Sequence, residues 1–180
     1  MKLLLSLLVS ISLYGDIKTQ MFQLYKDGKY KKVCNIGFNN FKANKHNEEY
    51  VSIYAFACLK SDYIDRLAVP IGVLKFSETA RANSAYFSVI LMQKKLLYHA
   101  LIDGYDLSEF KLPTTDYILS IVFDLYTSLG KHEARDFYVF QSPKDTKTSY
   151  KLYLQNDGRV NKMIIEEHYD TTAIKRHTYW

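Results

Sequence analysis

Residues 126–141 read YTSLGKHEARDFYVFQ, and the apolar spacing changes character inside them. On the upstream side Ile118, Ile121, Val122, Leu125 and Leu129 recur at the three- and four-residue steps of one helix face. On the downstream side FYVFQ is aromatic and β-branched, which suits a strand. Gly130 is placed as a left-handed helix stop between the two regimes. The chain therefore divides into a helical part over residues 16–130 and a β part over 131–180, the segregated pattern of an α+β fold.

Working toward the C-terminus, TSYKLYLQ alternates apolar and polar residues, and RVNKMIIEEH follows it across Asn156-Asp157-Gly158. Asp-Gly between two such runs predicts a hairpin with a two-residue turn. About that turn Tyr150, Leu152 and Leu154 share a face with Met163 and Ile165, while Lys151 and Lys162 take the other. The end of the chain, TTAIKRHTYW, adds a fourth strand and completes a small antiparallel meander, which needs the helices to cover its apolar face. Two readings of that end stay open. Arg176, Tyr179 and Trp180 are residue types enriched at binding hot spots; alternatively Ile174 and Trp180 pack inward and leave the charges wet.

Toward the N-terminus the helical spacing continues. Tyr30, Val33, Cys34, Gly37, Phe38 and Phe41 make one stripe, and Tyr50, Ile53, Tyr54, Ala57 and Cys58 make a second. Ile64, Leu67 and Ala68 begin a third segment that Pro70 must kink or restart. A long helix follows with Tyr86, Val89, Ile90, Leu97 and Leu101 on one side and Gly104 as its stop, and Thr115 or Asp116 is expected to cap the last one.

The first twenty residues, MKLLLSLLVSISLYGDIKTQ, have the layout of a secretory signal: Lys2, an apolar run over Leu3 to Leu13, and a small residue before a polar one. Cleavage after Gly15 defines a leader over residues 1–15, with Ser12 as the competing site; no Cys follows the run to carry a lipid. The run is shorter than the roughly 20 residues a membrane-spanning helix needs, so no integral span is expected once the leader is removed. The localisation expected is periplasmic or otherwise exported. The formal charge of +5 becomes +4 without Lys2, a mildly basic balance with no clustered basic face, so no nucleic acid partner is expected.

An exported address also bears on the only two cysteines, Cys34 and Cys58. Each lies 12 residues from His46 at the centre of the connection, which puts both at the same height in an antiparallel helix pair, roughly 18 Å from the loop. An oxidising compartment favours a disulfide, worth about 3 kcal/mol by the chain-entropy estimate. Against it, helix axes pack about 8–10 Å apart while a bridge needs Cα atoms within about 7 Å, and two buried thiols are the alternative.

Nothing else in the chain has the pattern of a reactive site. His46, His99, His132, His168 and His177 are scattered without ligand spacing and suit surface or capping duty, so no metal is expected. DGYD at residues 103–106 reads as a helix stop. EEHYD at 166–170 gathers Glu166, Glu167, His168 and Asp170, residue types able to do acid-base work, but a solvated strand end is the expected reading. With no Gly-x-Ser-x-Gly elbow and no phosphate-cradling glycine loop, neither catalytic residues nor cofactors are expected.

LYKDGKYKKVCNIGFNNF and the later YVSIYAFACLKSDYIDRLA lie 33 residues apart when Gly28 is set on Ser61 and Tyr30 on Tyr63. Over about residues 18–75 this resembles the tetratricopeptide repeat, in which a Gly closes the first helix of a pair and an aromatic opens the second; Pro70 departs from that pattern. The resemblance implies a curved stack of helix pairs that holds other proteins without chemistry of its own. The expectation is thus a non-enzymatic protein-protein interaction adaptor or structural accessory of an envelope assembly such as a secretion or motility apparatus, with envelope protein partners. The rival is a periplasmic ligand-binding protein or cell-wall-acting enzyme using a cleft between helices and sheet. Acidic residues of segment 166–170 facing a cleft opposite an aromatic wall favour that rival.

Overall fold

The computed structural model describes residues 16–180, so the leader expected at 1–15 lies outside the described residues. The chain is α+β: helices first, then a four-stranded antiparallel meander in the order β1-β2-β3-β4. The helices are α1 (Ile17–Lys26), α2 (Tyr30–Asn39), α3 (Phe41–Asn44), α4 (Glu48–Lys60), α5 (Ala68–Val73), α6 (Glu78–Asp103) and α7 (Ile118–Thr127), and the strands β1 (Phe137–Gln141), β2 (Thr148–Asn156), β3 (Asn161–Tyr169) and β4 (Thr172–Tyr179). None of these helices is long and apolar enough to cross a membrane.

Local chemistry accounts for most of the boundaries. Asn47 and Ser77 accept the N–H groups of Tyr50 and Ala80 and so cap α4 and α6. Gly104 and Gly130 take left-handed φ of 70° and 66° where helices stop. Pro70 falls in the first turn of α5, behind a 3-10 turn over Ile64–Leu67, so the chain restarts there. The cap of α7 differs from expectation: Tyr117 holds that position, and Thr115 and Asp116 precede it, Thr115 Oγ1 accepting from the Tyr117 N–H.

α4 is the central helix. Tyr50, Val51, Tyr54, Ala55, Ala57, Cys58 and Leu59 are all buried, on faces that meet α1 and α2, the 3-10 turn, α5 and α6. Against it α2 comes close enough for Cys34 and Cys58 to form a disulfide, with Cα atoms 4.8 Å apart. Gly37, one turn along from Cys34, is what permits this: a Cβ there would lie 2.5 Å from Tyr54 Cδ2 and 2.6 Å from Tyr54 Cβ. The 8–10 Å separation of ordinary helix pairs, which argued for two free thiols, does not hold where one partner has no side chain. Arg66 closes the same corner, its guanidinium between the Phe38 and Tyr63 rings, each 4.8 Å away, and bonded to Asn35.

In the sheet the hairpin differs in turn length and agrees in face. Asn156 pairs with Asn161, leaving Asp157 to Val160 as a four-residue loop in place of the two-residue turn expected. Asp157 Oδ1 accepts from the N–H groups of Arg159 and Val160, and Gly158 takes φ 85°. The register is shifted by two residues, which preserves the pleat, so Leu152 opposes Ile165 and Leu154 opposes Met163 on the covered face. β4 departs further. Its inward residues are His177 and Tyr179, whereas Ile174 and Trp180 are 60% and 51% exposed, the reverse of the packing considered for that strand. Tyr179 is therefore removed from the partner-binding candidates, being buried under the helices. Arg176 and Trp180 remain outward.

Gly37→Ala separates two effects of opposite sign. Helix propensity alone stabilises alanine by about 0.8–1 kcal/mol, but the contact with Tyr54 is overpacking, which costs about 1–3 kcal/mol. With the disulfide intact, urea unfolding is expected to show net destabilisation.

Candidate functional site

Two concave features flank the central helix. The larger is a groove of about 580 Å³ across the first turns of α1, α4 and α6, with Phe22, Ile53 and Ala80 as its apolar floor. Its rim is polar, with its charged groups engaged within the chain. Lys18 Nζ lies 2.6 Å from Glu49 Oε2, and the Asn83 amide donates to Ser52 Oγ. Glu48 accepts from the backbone N–H groups of Lys75, Phe76 and Ser77 at 3.0, 2.7 and 2.9 Å, tying the start of α4 to the approach of α6. Those donors, Phe76 foremost, hold its carboxyl down from the ordinary 4.5 to about 2. What the groove offers a ligand is chiefly its apolar floor, since Lys18 and Glu49 are spent on each other and Glu48 on backbone N–H groups.

The second feature is the seam between the helices and β4. Asp62 follows α4 in a left-handed turn, φ 62°, where the resemblance had set Ser61 in the glycine position. Asp62 and Tyr63 donate their N–H groups to Leu59 and Cys58 as Gly28 and Lys29 do to Tyr25 and Leu24, so the equivalent turns lie 34 residues apart. The Asp62 carboxylate accepts from Tyr117 Oη at 2.9 Å and faces His177 Nδ1 at 2.7 Å. His177 Nε2 is 2.9 Å from Glu167 Oε1. A carboxylate thus lies at each ring nitrogen, and both nitrogens are engaged within the chain. Tyr179 Oη lies 3.3 Å from Tyr117 Oη, and burial pushes both phenols well above their ordinary pKa.

Beside this cluster Lys94 of α6, 2% exposed, donates to the Trp180 carbonyl at 2.6 Å and pairs with Asp65 at 3.0 Å. Burial pulls its pKa down, because one carboxylate shared with Lys95 returns less than the lost water. Burial works to raise Asp65, but hydrogen bonds from Lys95 and Lys94 outweigh it and the carboxyl ends below its usual range.

The histidines expected at the surface thus divide. His46 is exposed, His99 pairs with Asp103, and His132 bonds the Gly130 carbonyl, while His177 is a buried clamp. The 166–170 cluster assembles only in part: alternation puts Glu167 inward, Glu166 and His168 share the other face with His168 Nε2 3.6 Å from Glu166 Oε2, and Asp170 turns the chain into β4. Glu166 is held on the outer face by the Tyr153 hydroxyl and Arg176. Glu167 does line a cleft of about 360 Å³, opposite Tyr25, Phe56, Tyr86 and Tyr117. His177 has no free nitrogen there to accept a proton from a ligand, and both cysteines are oxidised. Among the described residues no group of three or more His, Cys, Asp or Glu is placed to hold a metal ion.

Comparison with family models, with curated proteins and with solved structures finds no match.

The acid dependence of stability is expected to carry the signature of Glu48. Its folded pKa lies below the unfolded one, so its contribution is present above about pH 4.5 and disappears as pH falls through about 2. Glu48→Gln is expected to lower the melting temperature at neutral pH and to flatten the loss of stability between those two values, measured by thermal scans across the range.

Proposed function

We propose that this is an exported, non-enzymatic adaptor that holds an apolar or amphipathic segment of an envelope protein in the groove between α1, α4 and α6. The observation that carries the reading is the groove itself: an apolar floor contributed by three helices, rimmed by charges already paired within the chain. Such a surface binds by burying apolar area and leaves little for an ion to recognise. Phe22, 49% exposed at the edge of the floor, is the natural anchor, since a few well-packed aromatic residues carry most of an interface's energy. The Cys34–Cys58 disulfide fits an oxidising, exported location. Membership of a secretion or motility apparatus is the assembly context proposed for it.

A second reading has its own observation. Tyr25, Phe56, Tyr86 and Tyr117 form an aromatic wall facing Glu167 across the helix-sheet cleft, and a small ligand fits there. A photo-crosslinking residue at position 22 or 79 in cells separates the two. The adaptor reading expects both positions to yield the same envelope protein, and Phe22→Ala to weaken binding of that purified partner about tenfold or more. Adducts absent from both groove positions contradict it and move attention to the cleft.

A further inference from the structure

The two edges of the sheet are built differently. β4 carries Lys175 and Arg176, has a register irregularity opposite Glu167 and His168, and is tied through His177 and Tyr179 to the helices. Charges and irregularities of this kind keep an edge from pairing with another strand. β1 has neither: Phe137, Tyr138, Val139, Phe140 and Gln141 contain no charge and no proline, and they pair with β2 without a break.

Its backbone is oriented for a further strand. The Ser142 N–H donates to the Thr148 carbonyl, so alternation along an antiparallel ladder directs Phe140 and Tyr138 toward β2. The N–H and C=O groups of Phe137, Val139 and Gln141 then point away from the sheet. On the outer face of the same residues Phe137 and Val139 are 53% and 62% exposed.

We propose that β1 is a dimerisation edge that pairs, antiparallel and two-fold symmetric, with β1 of a second copy of this chain. Centred on Val139, the pairing places Val139 opposite its own counterpart, Tyr138 opposite Phe140 and Phe137 opposite Gln141 of the second copy. The residues whose backbone groups point outward are those that exchange hydrogen bonds. No charge meets its like, which is what makes the strand self-complementary; the same operation on β4 brings the cations at 175 and 176 of the two copies together, and like charges across a ladder repel. The axis runs perpendicular to the sheet, so both helical bodies lie on one side of a continuous eight-stranded sheet and the exposed Phe137 and Val139 cluster at its centre. An isologous contact closes at two copies and does not propagate. This inference is independent of the groove and its partner.

Sedimentation of the oxidised mature protein tests it. The wild type is expected to run as a concentration-dependent dimer, with protection of the Val139 amide from exchange rising as the dimer forms. Val139→Lys and Val139→Glu, at an outward position whose N–H points away from β2, are each expected to lose the dimer with unchanged circular dichroism. Because the position opposes itself, mixing the two variants restores a dimer of twice the monomer mass containing one copy of each. A wild type that stays monomeric at all concentrations, a Lys variant that still dimerises, or variants that fold but fail to recombine overturns the proposal.

Discussion

The helical body and the sheet meet on one carboxylate. Asp62 turns the chain after α4 in a conformation that glycine adopts freely and that costs other residues about 1–2 kcal/mol. Its oxygen takes the Tyr117 hydroxyl from the segment that opens α7 and faces the His177 ring from β4. Hydrogen bonds to charged groups contribute about 1.5–3 kcal/mol each, so two of them outweigh the strained backbone. The left-handed turn also sets the direction: it swings the carboxylate away from α4 and across to the strand. Glu167 closes the clamp from β3, and Lys94 holds the end of β4 through the Trp180 carbonyl. Without these contacts the sheet would rest on apolar packing and the bond from the Tyr98 hydroxyl to the Asn161 carbonyl.

The helical body has its own constraint in the approach of α2 to α4. A missing side chain at Gly37 and a disulfide one turn away fix two helices at a distance that neither a pair of ordinary side chains nor two free thiols would give. Glu48 extends that rigidity to α6 by gathering three backbone N–H groups that precede it. The groove across α1, α4 and α6 is thereby pre-formed, and a partner entering it meets little ordering cost.

Patterns local in sequence were legible. The change of period near Gly130, the inward faces of the central hairpin and the stops at Gly104 and Gly130 all follow from steps of two, three or four residues. The cysteine pair was legible because its antiparallel height could be counted, although Gly37, the residue that lets the helices close, is read only from the contact with Tyr54. The seam was not. Asp62 and His177 are 115 residues apart, and no spacing announces a histidine between two carboxylates contributed by different elements. β4 misled for a related reason: Ile174 and Trp180 look like the apolar face, but the strand's inward positions are chosen by Asp62, Tyr117 and the register irregularity beside Glu167. The groove was invisible as well, since Phe22, Ile53 and Ala80 come from three helices and share no motif.

The most direct test of the seam is hydrogen exchange of Asp62→Gly compared with the wild type. Glycine relieves the left-handed backbone and removes the Asp62 side chain with its carboxylate, so the two roles of the residue move in opposite directions. If the carboxylate joins the two halves, the amides of β4 exchange faster and global stability falls despite the relaxed turn. If β4 exchange is unchanged and stability rises, as relief of a left-handed residue allows, Asp62 is only a turn residue and the account of the junction is wrong.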